Sequence, residues 1–360
     1  MNIVLIAAWG LAVLSVFAVP IDRGYLDYLD GHTLGLLFSL MAVMAGLQRL
    51  GLFSYSARRM LGRVKNSRQL ELILVGLCFI SSMVITNDVA LITFVPFSVE
   101  VLLMADMKKS IVPVVALQTV AANLGSMMTP IGNPQNLYLF SRSGASAGHL
   151  FLLMLPYGAA AAILLLLFLF LRKNVSMGVL RLSPPKPMEQ QWKLVLYGIL
   201  FVICLLAVGR IVPVWLVTVI VLLAVAIADW RTLLKVDYSL LLTFAGFFIF
   251  IGNMGRIPAF CGFLSRMMEG HEVVTSVAAS QVLSNVPAAL LLSGFTDHFD
   301  ALIIGTNLGG LGTLIASMAS LISYRYVASS CAGYKGRYFV FFTIVNMIFL
   351  AVLLGIYAAF

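Results

Sequence analysis

Residues 123–131 read Asn-Leu-Gly-Ser-Met-Met-Thr-Pro-Ile, and residues 307–315, which begin 184 positions further along, read Asn-Leu-Gly-Gly-Leu-Gly-Thr-Leu-Ile. Five of these nine positions are identical. An earlier polar break precedes each copy within an apolar stretch: Thr86-Asn87-Asp88 precedes the first, and Ser284-Asn285-Val286-Pro287 precedes the second. Two motifs in the same order in each half predict a chain built from two related halves.

The composition of the 360-residue chain is that of a membrane protein. Hydrophobic residues make up 61% of the chain and charged residues only 10%, whereas soluble domains are about 45–50% apolar and about 25% charged. Long unbroken apolar runs such as 150–171 argue against a transmembrane β-barrel, whose strands are short and alternate in polarity. The sequence therefore predicts an all-α polytopic membrane protein.

The residues that usually carry chemistry disfavour several classes of site. The four cysteines and four histidines are scattered, without the spacing of metal ligands or of a disulfide framework. No segment resembles a Gly-x-x-x-x-Gly-Lys-Ser/Thr phosphate loop, which disfavours ATP-driven transport by this chain alone. No Ser/His or paired-Asp arrangement lies at membrane depth. We therefore expect no enzyme, no cofactor, and no metal beyond a possible transported Na⁺.

Seven long apolar segments are each near the ~20 residues that a spanning helix needs. The first lacks the basic leader and cleavage site of a signal peptide, so we expect it to be a retained helix. Two regions with polar interruptions, 69–141 and 257–324, lie between the segments. The seven segments are 2–19, 32–48, 150–171, 193–209, 213–228, 238–252 and 338–358.

These segments divide the chain into two predicted repeats joined by a cytoplasmic linker, 173–192, which contains Pro184, Pro185 and Pro187. Each repeat begins with scaffold helices and continues with a helical hairpin and a broken helix. The first repeat is 1–172, divided into 1–68 and 69–172. The second is 193–360, divided into 193–256, 257–325 and a last helix at 338–358.

The basic residues predict which side of the membrane each loop faces. If the loop 49–68 is cytoplasmic, and 69–107 enters the membrane and returns to the same side, 18 basic residues lie inside and five outside. This split follows the positive-inside rule and predicts a cytoplasmic N-terminus in the plasma or inner membrane. A basic rim facing anionic lipid accounts for the net charge of +9 without nucleic acid. The inside residues are Arg49, Arg58, Arg59, Arg63, Lys65, Arg68, Lys108, Lys109, Arg172, Lys173, Arg181, Lys186, Lys193, Arg231, Lys235, Arg325, Lys335 and Arg337. The outside residues are Arg23, Arg142, Arg210, Arg256 and Arg266.

In this orientation the two halves are inverted relative to each other. The first hairpin opens from the cytoplasm and the second, at 271–297, opens from outside. Only 12 residues separate Asn285 at the second tip from the charged Asp297. That distance is ~18 Å of helix, too short to cross ~30 Å of hydrocarbon, so we expect this hairpin to be re-entrant.

Asp88 is the only ionisable residue near the centre of an apolar segment. A charge at that depth costs at least ~2.5–3.5 kcal/mol on insertion scales, so a bound cation, a proton or a polar partner must offset it. The alternative is that Asp88 caps the helix of the second hairpin arm. At the second tip, Pro287 fits the first turn of a helix capped by Ser284 or Asn285.

Glycine and proline are dense in 123–136 and 306–313, which predicts unwound helices. Carbonyl groups freed by unwinding can coordinate Na⁺, and exposed helix N-termini can hold an anion. The alternative is a packing kink where glycine allows two helices to approach closely. Two breaks in each half, in the same order, favour a transport site.

Several of these segments together resemble one known group of membrane proteins. They are Thr-Asn-Asp-Val-Ala-Leu-Ile-Thr-Phe-Val-Pro (86–96), Ala-Asn-Leu-Gly-Ser (122–126), Thr-Pro-Ile-Gly-Asn-Pro-Gln-Asn (129–136), Ser-Asn-Val-Pro-Ala (284–288) and the segment 306–317. They are similar to the ion transporter superfamily, in particular its arsenite-permease and citrate-transporter-like branch, related to divalent-anion/sodium symporters. The resemblance implies scaffold helices, a mobile transport domain, a homodimer and elevator-type alternating access.

The resemblance and the polar breaks together give a set of candidate site residues. The resemblance implies that Thr86, Asn87, Asn123 and Gly125 help to form a first cation and substrate site. It also implies that equivalent residues of the second half form a mirrored site. The candidate substrate-binding residues are Thr86, Asn87, Asn123, Thr129, Asn133, Ser284, Asn285, Thr306, Asn307 and Thr313. The candidate residues for cation or proton coupling are Asp88, Gly125, Ser126, Gly309 and Gly310.

Asp88 decides how the functional hypotheses rank, because a fixed carboxylate repels an anionic substrate unless a cation or proton intervenes. The first hypothesis is Na⁺- or H⁺-coupled transport of a small anion or oxyanion. A variant is export of neutral arsenite with Asp88 relaying a proton. The first alternative is Na⁺/H⁺ antiport at Asp88. A less favoured alternative is an ion channel, which would have the same broken helices as a transporter.

Overall fold

A computed structural model of the chain describes residues 3–61, 64–176 and 190–359. These residues form seventeen α-helices, joined by short loops and 3₁₀ turns. Most of the predicted linker, including its three prolines, lies outside the described residues. The helices are α1 (Ile3–Val16), α2 (Gly31–Arg49), α3 (Leu52–Leu61), α4 (Ser67–Ser81), α5 (Asn87–Met104), α6 (Ile111–Ser126), α7 (Pro134–Ser143), α8 (Ala147–Phe170), α9 (Gln191–Val208), α10 (Val214–Leu233), α11 (Tyr238–Gly255), α12 (Pro258–Met268), α13 (Glu272–Leu283), α14 (Asn285–Leu292), α15 (Phe299–Leu308), α16 (Met318–Ser330) and α17 (Lys335–Ala359).

Seven of the described helices are long and apolar enough to cross a membrane: α2, α5, α8, α9, α10, α11 and α17. Six of them coincide with the long apolar segments of the sequence. The remaining segment, 2–19, forms the shorter helix α1, and the additional long helix, α5, is the second arm of the first hairpin. The prediction of an all-α polytopic membrane protein is confirmed.

The same order of elements occurs twice. From α1 to α8 the chain has two apolar helices, a short amphipathic helix, a two-helix hairpin, a helix broken in its middle and a long final helix. From α10 to α17 the same order recurs, and α9 lies between the two sets. The order supports the predicted repeat, whose orientation in the bilayer stays a prediction.

The helices pack as two groups. In the first group, α1 packs on α11, and α2 packs on α9 and α10. In the second, the two hairpins pack on the two broken helices, with α8 and α17 around them. Contacts between α2 and α7 and between α11 and α14 connect the groups, as do the short helices α3 and α12. The division into a scaffold and a transport domain stays a prediction.

Polar contacts at the loop ends sort the loops onto two ends of the molecule. At one, here called the basic end, Arg49 pairs with Asp229 at 2.8 Å and Arg172 pairs with Glu71 at 2.6 Å. At the opposite end, Arg210 donates to the Gly144 carbonyl at 2.8 Å. The contacts bring together loops that were predicted to share a side. Arg63, Arg181 and Lys186 of the predicted inside set lie outside the described residues.

The arms of the second hairpin are short. α14 has eight residues and α13 twelve, which correspond to roughly 12 and 18 Å of helix. Each is shorter than the ~30 Å thickness of the hydrocarbon, and the re-entrant course of this hairpin stays a prediction.

Candidate functional site

The first polar break forms the tip of the first hairpin. Thr86 occupies the N-cap position of α5, and the backbone N–H of Asn87 donates to the carbonyl of Gly132 at 3.0 Å. The Asn87 side chain accepts from the Asp88 N–H at 2.9 Å and donates to Asn123 Oδ1 at 3.1 Å. The tip is therefore bonded to both sides of the break in the first broken helix.

The second break forms a closely similar tip. The backbone N–H of Asn285 donates to the Ala316 carbonyl at 2.9 Å, and Asn285 Oδ1 accepts from the Val286 N–H at 3.0 Å. Ser284 holds the N-cap position of α14 with φ of +78° and without a side-chain cap bond. A serine at positive φ is strained backbone, which concentrates at functional sites.

The contacts of the two tips recur at constant spacings. Asn87 and Asn285 are 198 residues apart, and their carbonyl partners Gly132 and Ala316 are 184 apart. A second pair follows the same spacings: Thr129 donates to the Met83 carbonyl at 2.5 Å, and Thr313 donates to the Gln281 carbonyl at 3.3 Å. Each half thus packs its hairpin on its own broken helix in the same way.

Other hydrogen bonds cross between the halves, again in matched positions. Asn133 Nδ2 donates to Asn307 Oδ1 at 3.1 Å, and Ser317 Oγ donates to Asn123 Oδ1 at 3.0 Å. Asn133 and Ser317 are 184 residues apart, as are Asn123 and Asn307. Each unwound segment therefore bonds to the first helical half of the other repeat, and the breaks converge on one buried region.

We call this region the amide cluster. Asn123 also reaches the Gly310 carbonyl at 3.4 Å, and Asn307 reaches Asn136 Oδ1 at 2.6 Å. A Cβ on Gly310 would stand 3.0 Å from Asn285 Nδ2, which places the second tip beside the same backbone. The cluster consists of the side chains of Asn87, Asn123, Asn133, Asn136, Asn285 and Asn307, all at most 5% exposed.

Two glycines predicted for coupling allow the hairpins to approach the broken helices. A Cβ on Gly125 would lie 2.1 Å from the Phe79 carbonyl oxygen, and one on Gly309 would lie 2.6 Å from Ser280 Oγ. Both distances are too short for any side chain. Ser126 contributes its hydroxyl, which accepts from Asn133 Nδ2 at 3.2 Å.

The ends of the helices determine the electrostatic character of this region. α5 and α14 begin at the hairpin tips, and α7 and α16 begin just after the unwound segments. Their N-termini carry partial positive charge, which favours an anion. α6 and α15 end at the same breaks and present carbonyl groups, which favour a cation.

Not every candidate residue lies in the amide cluster. Thr306 donates to the Leu302 carbonyl of its own helix at 2.7 Å, so its hydroxyl serves the helix backbone. Thr129 and Thr313 fasten the unwound segments to the hairpins, and Thr313 is exposed. Ser284 is buried beside Asn285 and the Ala316 carbonyl.

Three residues of the site were not among the candidates. Asn136 lies in the quoted motif, and Ser317 was detectable as the residue 184 positions after Asn133. Gln281 donates to the carbonyls of Gly309 and Leu311, both at 2.9 Å, and accepts from the Thr313 N–H at 2.9 Å. No repeat marks Gln281, because Met83 holds the equivalent position in the first hairpin.

Asp88 makes no side-chain hydrogen bond to the amide cluster among the described residues. Its side chain lines a cavity of about 160 Å³ between the first hairpin tip and α2. The buried Oδ1 atom of Asp88 has no hydrogen-bond partner among the described residues. Because Asn87, rather than Asp88, accepts the N–H at the helix start, the structure gives no support to Asp88 as a cap.

This cavity, here called the crevice, also contacts Thr86 and Asn133 on the hairpin side. Leucine and methionine side chains of α2 form most of its opposite wall, and Lys235 and Asp237 line it from the loop before α11. That loop follows the α10 end where Asp229 pairs with Arg49. The crevice therefore approaches the basic end.

The corresponding interface, between the second hairpin and α11, is packed, with α7 of the first half contributing to it. Tyr138 of α7 contacts the rings of Phe244 and Phe248 on α11 at centroid distances of 6.2 and 5.7 Å. Its hydroxyl bonds to Ser293 Oγ, just after α14, at 2.8 Å. The first hairpin faces α2 across the crevice, with a Gln48–Thr93 hydrogen bond of 3.2 Å between them, whereas the second packs against α11.

Comparison with known proteins places the chain among transporters. Residues 1–298 match the family model for citrate transporters. The inner membrane protein YbiR of Escherichia coli is 30% identical over 318 residues, covering 87% of this chain and 84% of that protein. An uncharacterized transporter of Methanocaldococcus jannaschii, MJ0456, is 30% identical over 298 residues, covering 82% of this chain and 81% of that protein.

A further relative shares part of the chain. The silicon efflux transporter LSI3 of Oryza sativa subsp. japonica is 32% identical over 151 residues, covering 42% of this chain and 30% of that protein. The matches agree with the resemblance to the ion transporter superfamily that the motifs indicate.

Proposed function

The chain belongs to the citrate transporter family, and on that premise we propose that it is a secondary active transporter for a small anion or oxyanion, coupled to Na⁺ or H⁺. The observation that carries the proposal is the amide cluster, where the two unwound helices bond to each other reciprocally and each hairpin tip bonds to the broken helix of its own half. Irregular backbone at membrane depth is tolerated where it is buried in protein or lines a cavity. Transporters use such sites for substrates and ions.

The chemistry of the cluster favours a small, oxygen-rich substrate. Amide and hydroxyl groups donate and accept hydrogen bonds, and the four helix N-termini favour negative charge. Carboxylates and oxyanions, or the neutral hydroxides of arsenic and silicon, all present oxygens to such groups. A citrate-like acid is favoured by the family, and a hydroxide by the name of the silicon efflux relative.

The two helix groups support an elevator-type mechanism. If the halves are repeats, α5 corresponds to α14 and α2 to α11. The open crevice at the first hairpin and the packed interface at the second are then two arrangements of equivalent elements. Moving the hairpin group against the scaffold would exchange them and open the site to the other side. We propose that the scaffold also forms a homodimer in the plasma or inner membrane.

One observation favours a second candidate function, Na⁺/H⁺ antiport. The Asp88 carboxylate lies in the crevice rather than in the amide cluster. A cation could therefore load at Asp88 without an anion beside it. The transporter would then exchange Na⁺ for H⁺ at that single carboxylate.

Flux into proteoliposomes tests the proposal. With purified protein, an imposed Na⁺ or pH gradient should drive saturable, concentrative uptake of labelled citrate, succinate or arsenite. Gradient-driven anion uptake supports the proposal, and non-saturating flux without counterflow indicates a channel. Exchange of Na⁺ for H⁺ that needs no anion identifies the antiporter.

Asp88→Asn tests the coupling role in the same vesicles. The change removes the charge with little change in shape, so the variant should fold and lose gradient-driven uptake. Thermal melting in detergent and size-exclusion chromatography check that it is folded. Wild-type transport by a folded Asp88→Asn protein would contradict the coupling role.

A further inference from the structure

The crevice is lined by a carboxylate and an ammonium group that lie on opposite sides of the interface between the two helix groups. Asp88 belongs to the first hairpin, whereas Lys235 belongs to the loop that connects the scaffold helices α10 and α11. Both side chains line the same cavity of about 160 Å³. Among the described residues, the charged groups that line this cavity are Asp88, Lys235 and Asp237.

The three charged groups differ in the hydrogen-bond and ion-pair partners that they already have. Asp237 accepts the Leu240 N–H at 3.1 Å and caps α11. Asp88 Oδ1 is buried without a partner among the described residues. No ion pair of Lys235 occurs among those residues. A buried carboxylate oxygen without a partner is costly, so this pocket favours a positive charge at Asp88.

The ligand set indicates the class of cation. Of the two carboxylates that line the cavity, Asp237 caps α11, which leaves Asp88, with Thr86 lining the same cavity, to balance a single positive charge. The described residues contain no group of three or more His, Cys, Asp or Glu side chains that could hold a metal ion, and Ca²⁺ and transition metals usually have more carboxylate, imidazole or thiolate ligands. The crevice therefore fits Na⁺ or a proton better than a divalent ion.

Resting on the proposed function, we infer that the crevice is a monovalent-cation site at Asp88, and that Lys235 is its built-in competitor. The lysine ammonium sits on a flexible four-carbon stem and can approach Asp88 when the cation is absent. Such a pair would tie the first hairpin to the scaffold at the basic end. Binding of Na⁺ or a proton at Asp88 would displace Lys235 and free the hairpin group to move.

The inference makes the cation the release signal for movement. An unloaded hairpin group stays paired with the scaffold, so the protein does not cycle without its coupling ion. This role is separate from substrate recognition, because neither Asp88 nor Lys235 belongs to the amide cluster. It can therefore be tested without any anion present.

Cation-dependent melting of the purified protein tests the inference directly. NaCl replaces choline chloride at constant ionic strength and pH, and the midpoint of thermal unfolding is recorded, because a ligand of the folded state raises that midpoint. Wild-type protein should show a saturable upward shift. Asp88→Asn should lose the shift, whereas Asp88→Glu, which keeps the charge, should retain it with an altered half-saturating concentration.

Two further variants separate the competitor from the general field of the crevice. Lys235→Gln removes the competitor, so we expect half-saturation at an about tenfold lower Na⁺ concentration, equivalent to about 1.4 kcal/mol of binding free energy. Asp237→Asn removes a negative charge from the same cavity but keeps an N-capping side chain. A saturable, Asp88-dependent shift should therefore remain, with half-saturation at a higher Na⁺ concentration than in wild type. A parallel titration between pH 5 and 8 without Na⁺ identifies the proton as the occupant if only pH gives an Asp88-dependent shift.

The inference is overturned if Asp88→Asn keeps the full shift, if Asp237→Asn loses it equally, or if wild type responds to neither Na⁺ nor pH. An unchanged half-saturation in Lys235→Gln, for whichever cation binds, removes the competitor. None of these outcomes depends on anion flux. Gradient-driven anion uptake with a failed melting test would leave the proposed function standing, and the reverse result would leave only the cation site.

Discussion

Single side chains in this protein hold several chain segments together. Asn123 receives hydrogen bonds from Asn87 of the first hairpin and from Ser317 of the second unwound segment, and it donates to the Gly310 carbonyl. All of these groups are buried. Removing one partner therefore leaves a polar group without a hydrogen bond, which lowers the stability of the fold by about 1–3 kcal/mol. A residue with this many partners contributes to stability and binding together.

Asn123→Ala should therefore weaken substrate binding and lower the thermal midpoint, because Asn87 and Ser317 both lose an acceptor. Asn285→Ala should weaken binding as well, with a smaller loss of stability. Apparent affinities come from uptake kinetics and stability from melting in detergent. Thr306→Val is the matched control, since the Thr306 hydroxyl bonds only within its own helix. Unchanged affinity in both asparagine variants would contradict the site assignment.

Gln281 offers a second prediction at this scale. Its side chain bonds three backbone groups of the unwound segment 309–313. Gln281→Leu should release that segment, raise amide hydrogen exchange at Thr313 and reduce transport. Gln281→Glu keeps an acceptor for the Thr313 N–H but loses both donors, so exchange at Thr313 should stay slower than in the leucine variant. Equal exchange rates at Thr313 in wild type and Gln281→Leu would show that the contact does not hold the segment.

At the scale of elements, each hairpin packs on a broken helix through a glycine that faces a backbone or hydroxyl group. Gly125 faces the Phe79 carbonyl and Ser82, and Gly309 faces Ser280. Ser82 and Ser280 are 198 residues apart, the spacing that also relates the two tips. The approach of hairpin to broken helix is thus fixed by backbone shape, which a larger residue would change.

Gly125→Ala tests this packing. Its Cβ would lie 2.1 Å from the Phe79 carbonyl oxygen, so the hairpin must move, and overpacking of this kind costs about 1–3 kcal/mol. We expect a lower thermal midpoint and impaired transport. Gly76→Ala lies in α4 with open space around it, and alanine there favours the helix by about 1 kcal/mol. Equal melting of the two variants would contradict the close approach.

At the scale of the whole molecule, polar contacts divide the loops between a basic end and an opposite end. The crevice approaches the basic end through Lys235, while His149 and Asp300 pair at 2.8 Å at the other. The excess of basic residues predicts that the basic end is cytoplasmic. The crevice would then be open to the cytoplasm in this conformation.

Cysteine labelling checks this orientation. In a background with the four native cysteines replaced, Asp297→Cys should react with a membrane-impermeant maleimide in intact cells. Lys235→Cys should react only after the membrane is permeabilised. The reverse pattern would invert the predicted topology and place the crevice on the outside.

The sequence by itself determined the class of the protein, the approximate spans and the polar breaks. Apolar length and Gly-Pro density are local properties, because hydrocarbon thickness and backbone sterics act on each segment separately. The repeated motif also predicted equivalent positions, and Asn123 and Asn307 do occupy matched places in the amide cluster. The same spacing would have located Ser317.

Only the tertiary structure decided where each side chain points. Thr306 bonds to its own helix, Gln281 enters the site without a counterpart in the first half, and Asp88 lines the crevice without a hydrogen bond from its Oδ1 to the asparagines. These outcomes depend on how the two helix groups pack. Asp88 and Lys235, for example, are 147 residues apart in the chain but line the same cavity. Local sequence pattern contains no information on which distant residues share a cavity, because this cavity forms only when α2 and the loop before α11 lie beside the first hairpin.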